Sequence, residues 1–163
     1  MGVEMIGREI LEKCIYFSNI YSKKFYGLGF SITTKSLLEK TLPLRPSKEP
    51  KLLRKVNSLP KTTDTVAKTL INFSTSKEFH DGFHLLNRKL HFIGICRMLL
   101  IKKSKIKPNE KRGTRYYAAK IFSSYKNVKF VGLLTKEKEV FYFINSKVHK
   151  LNTYNRNSLF NEI

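Results

Sequence analysis

Between residues 10 and 25 the apolar positions are Ile10, Cys14, Phe17, Tyr21 and Phe25. Steps of three and four place them on one face of a helix. Tyr26-Gly27-Leu28-Gly29 then interrupts the pattern, and two glycines permit a tight turn. A second helix is predicted over 33–40, carrying Leu37 and Leu38, with Ser31 or Thr33 as its cap. Four of the five prolines, seven Lys or Arg and the single acid Glu49 occupy residues 40–61, which reads as a basic, extended connection. Helical spacing resumes over 64–73 with Val66, Leu70 and Phe73. It continues in a longer helix over 77–94, whose apolar face is Phe79, Phe83, Leu86, Leu90 and Ile93. Two β-rich runs, 128–134 and 140–144, flank Thr135–Glu139, which can close a hairpin. The pattern predicts a mainly α fold with a C-terminal β-hairpin.

Charge changes this picture most. The 163 residues carry 32 Lys and Arg against 12 Asp and Glu, a formal net charge of +20. Like charges repel in a compact state, and a polyanion relieves that repulsion while releasing counterions. Nucleic acid is the first partner this implies, anionic lipid the second, an acidic protein the third. Residues 97–120 hold nine of the cations and only Glu110, with Tyr116, Tyr117 and Phe122 interleaved for stacking on bases or ribose. An aromatic content of 12% supports a real core. No stretch reaches the ~18 apolar residues of a membrane span. Cys14 and Cys96 lack metal-ligand spacing; the sequence allows one disulfide between them, and two free buried thiols in a reducing compartment is the plainer reading. The N-terminal residues, with Glu4, Glu9 and Glu12, resemble neither a presequence nor a secretory signal. Abundant Lys, Asn, Ile, Phe and Tyr without Trp point to an A/T-rich genome, organellar or nuclear.

Candidate chemistry is sparse. Tyr26–Gly29 reads from spacing as a helix-connecting turn; the alternative is a backbone nest that holds a phosphate. No dinucleotide-binding fingerprint is present, since no strand is predicted before it and the third glycine is missing. His80 and His84, one helical turn apart with Asp81 beside them and His91 further on, make a weak metal motif and read as surface or partner-facing histidines. No nucleophilic triad or paired-carboxylate site emerges. The expectation is a non-enzymatic chain with no cofactor and no metal.

Two segments carry a family resemblance. Leu86-Asn87-Arg88-Lys89-Leu90-His91-Phe92-Ile93-Gly94-Ile95-Cys96-Arg97 precedes a basic stretch, and Tyr26-Gly27-Leu28-Gly29 is followed by Leu37-Leu38-Glu39-Lys40. In order and spacing these resemble the bacterial-type small-subunit ribosomal protein S-thirteen family. The likeness spans about residues 6–115. The tail departs from the family pattern, and residues 122–163 have no counterpart in it. The resemblance implies a helix-two-turn-helix module (1–41), a basic Pro-rich insert (42–61), a helical hairpin (62–96), a basic RNA-binding tail (97–121) and an extension (122–163). It implies a structural role in the head of a mitochondrial small subunit. The implied partners are small-subunit rRNA, protein S-nineteen, large-subunit protein L-five at an inter-subunit bridge, and peptidyl-site tRNA. Tyr26, Gly27, Gly29 and Lys35 are then the RNA contacts of the N-terminal module, and Arg88 and Lys89 seat the hairpin. Arg97, Lys102, Lys103, Lys105, Lys107, Lys111, Arg112 and Arg115 neutralise phosphates. Rival readings are a DNA-repair protein with a related helix-two-turn-helix module and an accessory subunit of an organellar membrane complex.

Overall fold

The computed structural model describes residues 2–20, 24–101 and 112–152. Its centre is a sheet of seven strands: β1 (Leu28–Thr33), β2 (Thr41–Pro43), β3 (Phe83–Leu86), β4 (Phe92–Leu99), β5 (Val128–Leu134), β6 (Val140–Ile144) and β7 (Lys147–Leu151). The spatial order is β2-β4-β3-β1-β5-β6-β7. Only β1 and β3 run parallel, with Phe30 opposite His84 and Ile32 opposite Leu86; every other neighbouring pair is antiparallel. Helices α1 (Val3–Ile20), α2 (Glu49–Asn57) and α3 (Thr63–Ser74) cover one face. Helix α4 (Thr114–Phe122) and a 3-10 turn at Lys35–Lys40 cover the other.

The alternation along β5 and β6 produces these two cores. Phe130, Leu134, Val140 and Tyr142 point toward α1, and Val131, Leu133, Phe141 and Phe143 point toward α4. In β1 all six residues are buried, as expected for a strand covered on both faces. Helix α1 approaches the sheet through Gly7, where an added Cβ would lie 2.6 Å from the Phe130 ring. Thr62 caps α3 by accepting a hydrogen bond from the Thr65 backbone N–H at 3.1 Å.

The fold is therefore α/β and not mainly α. The helix predicted over 77–94 is instead a turn, β3, a second turn and β4. Spacing of three and four along a short apolar stretch does not separate a helix from two buried strands. Asn87 decides the matter locally: its Oδ1 accepts from the backbone N–H groups of Lys89 at 2.9 Å and His91 at 3.0 Å, which folds the chain back on itself. The stretch predicted to be extended contains α2. Glu49, buried in the first turn of that helix, accepts from the Ile95 backbone N–H at 2.9 Å and from the Arg97 guanidinium through both oxygens. Gly29 stands inside β1 rather than in a helix-linking turn, and an added Cβ would lie 2.6 Å from the Phe83 ring. Strands β5 and β6 lie on the two β-rich runs, but β5 pairs with β1 and is central to the sheet. Cys14 and Cys96 are free and buried.

Candidate anion-binding site

Helix α4 starts at Gly113, whose extended backbone (φ −72°, ψ 165°) makes no side-chain cap. Its carbonyl accepts from the Tyr116 N–H at 3.1 Å. Thr114 and Arg115 lead the helix, so their N–H groups have no carbonyl one turn earlier to bond. Arg115 lines a cleft of about 340 Å³ shared with Tyr26, Gly27, Arg112 and the β5–β6 turn at Thr135–Glu137.

That turn is built by Thr135. Its N–H donates to the Glu139 carbonyl at 2.9 Å, and its Oγ1 accepts from the Glu139 N–H at 3.0 Å. Arg112 lies over the Tyr116 and Phe141 rings and reaches Glu139 at 3.7 Å. Lys136 adds a third cation beside Arg112 and Arg115.

Arg115 is the centre of the arrangement. Its Nη2 donates to the His80 carbonyl. Its Nη1 passes 3.0 Å from where a Cβ at residue 27 would stand, and Gly27 has φ +97°. Glycine is required at 27 on both counts. Burial lowers the Arg115 pKa from the ordinary guanidinium value, and the charge of Asp81 works against that shift. A guanidinium stays charged throughout. The residues around it are interlocked. Tyr26 stacks on His80 with centroids 4.3 Å apart, and His80 Nδ1 lies 3.2 Å from the Asp81 carboxylate, which also meets Arg45 at 3.8 Å. Gly82 follows with φ +75° and turns the chain into β3.

On the far side of Arg115 lies a second, larger cleft of about 840 Å³. Phe83, Met98, Leu99 and Ala118 supply an apolar wall, with Tyr125, Asp81, Lys40 and Thr114 at its margin. Arg115 lines both clefts.

Of the residues singled out in the sequence, Tyr26, Gly27, Arg112 and Arg115 converge here. The others do not. Gly29 packs inside the sheet, and Lys35 is exposed on the 3-10 turn. Arg88 and Lys89 are exposed at the β3–β4 turn. Arg97 is engaged by Glu49 and Thr41, a fully internal use of its charge. Lys102, Lys103, Lys105, Lys107 and Lys111 lie outside the described residues. Tyr117 and Phe122, offered for stacking, are buried in the core. His84 is buried on β3 and stacked on Phe73, not surface-facing beside His80 on a helix. No group of three or more His, Cys, Asp and Glu capable of holding a metal occurs among the described residues. Sequence reasoning missed Thr114, Lys136 and the role of Asp81. The signals were the Gly-Thr pair ahead of an apolar helical run and the Asp-Gly pair ahead of a strand.

No protein-family model matches the chain, and no curated protein sequence matches it significantly. Solved structures do match in fold. A double mutant of DacA from Staphylococcus aureus superposes with a TM-score of 0.57 at 14% identity, over 98% of this chain and 95% of that one. A hypothetical membrane spanning protein from Bacillus cereus gives 0.60 at 16% identity, over 90% of this chain and 63% of that one, just under two thirds of its length. These likenesses show the fold: an α/β architecture shared with DacA. They overturn the ribosomal reading and its role in rRNA binding and translation, because a seven-stranded mixed sheet is not the helical S-thirteen architecture. The short matching motifs fall on unrelated structure: Tyr26–Gly29 enters a strand, and Arg88–Arg97 is a turn followed by a strand. The ribosomal partners and mitochondrial location implied by that resemblance have no support apart from it.

Proposed function

We infer that the chain binds a phosphorylated small molecule of the nucleotide class. The observation that carries this reading is the position of Arg115, held between a polar cleft at a helix N-terminus and a larger apolar cleft. Phosphate oxygens suit the first, where Arg115 stands in the first turn of α4 and Arg112 and Lys136 add charge. A planar ring suits the second, against Phe83, Met98 and Ala118, with Asp81 and Lys40 available to its polar edge. Calorimetric titration with nucleoside mono-, di- and triphosphates tests this. Arg115→Ala is expected to weaken binding about tenfold to a hundredfold, the range for losing charged hydrogen bonds. Equal affinity of the variant, or none in the native chain, rejects the reading.

A second reading, turnover of the bound nucleotide, is favoured by one observation. Asp81 presents a half-exposed carboxylate in the second cleft, which Arg115 shares with the first. A carboxylate beside a phosphate cradle is suited to holding a divalent cation for phosphoryl or nucleotidyl transfer. Chromatography of nucleotide incubated with the protein and Mg²⁺ or Mn²⁺ checks it. Product that disappears in Asp81→Asn supports turnover; unchanged nucleotide leaves binding as the function.

A further inference from the structure

We propose that the surface formed by α2, the loop after it and the β3–β4 turn docks on an anionic lipid bilayer. Lys51, Arg54 and Lys55 are exposed on α2, Lys61 is exposed just beyond it, and Arg88 and Lys89 are exposed at the turn. Asn57 fixes these two parts together. Its Nδ2 donates to the Phe92 carbonyl at 2.9 Å, and its Oδ1 accepts from the Phe92 N–H at 2.8 Å, immediately after the turn. Asn57 thus ties the cations of α2 to those of the turn, and none of the six lines either cleft beside Arg115.

Among the described residues nothing neutralises them. None of the six forms an ion pair with another described residue. The nearest acids in sequence are engaged elsewhere: Glu49 is buried against Arg97, Asp64 meets Lys13 at 2.6 Å, and Asp81 meets His80 and Arg45. Lys51, Arg54 and Lys55 crowd like charges within one helical turn, an arrangement that is unfavourable until an anion covers it. The apolar side of the helix is already used, since Leu52, Leu53 and Val56 pack against the core. What faces outward is therefore charged or small, with one large apolar side chain among it.

Leu59 is that side chain. It is 41% exposed and sits between the cations of α2 and Lys61. Lys61 holds this loop in place by donating to the Asn57 carbonyl at 2.6 Å. A nucleic-acid backbone engages the cations and leaves an aliphatic side chain unused. A bilayer surface engages both, taking the cations at anionic headgroups and the leucine at the acyl boundary.

The test is co-sedimentation of the full chain with phosphatidylcholine vesicles, with and without phosphatidylglycerol. Binding is expected only to the anionic vesicles and should fall as salt rises. Arg54→Ala with Lys55→Ala should weaken it about thirtyfold, at the usual contribution of a cation near such a surface. The chain has no tryptophan, so Leu59→Trp provides a single fluorescent reporter. Its emission should shift to the blue on anionic vesicles. Failure to co-sediment, undiminished binding by the double variant with its circular dichroism unchanged, or an unshifted emission from the Leu59→Trp reporter each overturns the proposal. Binding to RNA or polyglutamate in place of vesicles assigns the face to a soluble polyanion and overturns it equally.

Discussion

Glu49→Ala is expected to lower stability by about 3–5 kcal/mol, the cost of leaving a buried charge without its partner. The side chains of Glu49 and Arg97 are 9% and 13% exposed. Both carboxylate oxygens accept from the guanidinium, and Oε2 also accepts from the Ile95 N–H. Removing the carboxylate strands the Arg97 charge and a backbone donor together, and it frees the start of α2 from β4. Thermal unfolding should show a midpoint roughly 10 °C lower for a domain of this size. Replacing both partners, Glu49→Leu with Arg97→Met, should recover most of the loss, because no buried charge then remains. A single-variant loss below ~1 kcal/mol would show that the pair is solvated in solution.

The second large effect is loss of stability in acid, traced to His84. This imidazole is 1% exposed, stacks on Phe73 at 4.8 Å and accepts the Cys96 N–H at Nδ1. Burial, aided by the nearby Arg115 charge, lowers its pKa to about 3 from the ordinary 6.5. In the unfolded chain it takes up a proton near 6.5, and in the folded one only near 3. Between those values the unfolded state binds more protons, so stability is complete above about 6.5 and is lost as pH falls toward 3. The loss attributable to this group at about pH 4 is on the order of 3 kcal/mol. Urea unfolding at a series of pH values measures it. His84→Gln should be less stable at neutral pH yet show a flatter pH dependence below 6.5. A slope identical to that of the native chain would place the titration on other groups.

Part of the fold is visible in local patterns. The helical spacing of Ile10, Cys14 and Phe17 marks α1, and Val66, Leu70 and Phe73 mark α3. The alternation at 128–134 and 140–144 marks β5 and β6. Local patterns fail around residues 77–99. There Phe83, Leu85 and Leu86 are all buried because both faces of β3 are covered, and that erases the two-residue period. The turns that would have corrected the reading depend on Gly82 and on the side chain of Asn87.

The candidate site is legible in the same partial way. Tyr26, Gly27, Arg112 and Arg115 could be selected as aromatic, glycine or cationic positions, but selection by charge cannot distinguish Arg97 from Arg115. One guanidinium is consumed by Glu49, and the other is held at a cleft by the His80 carbonyl. The difference arises from contacts between residues dozens of positions apart.

By itself, the order of residues determined the excess of cations, the presence of a core, two of the helices and the central hairpin. Each follows from composition or from a period within a few residues. Only the tertiary structure decided that five more strands complete one mixed sheet, that α4 is a core helix with an open N-terminus, and which cations are internal. Strand pairing and burial are settled by neighbours brought close in space, such as β1 beside β3 and β5, and a local window contains no information about them.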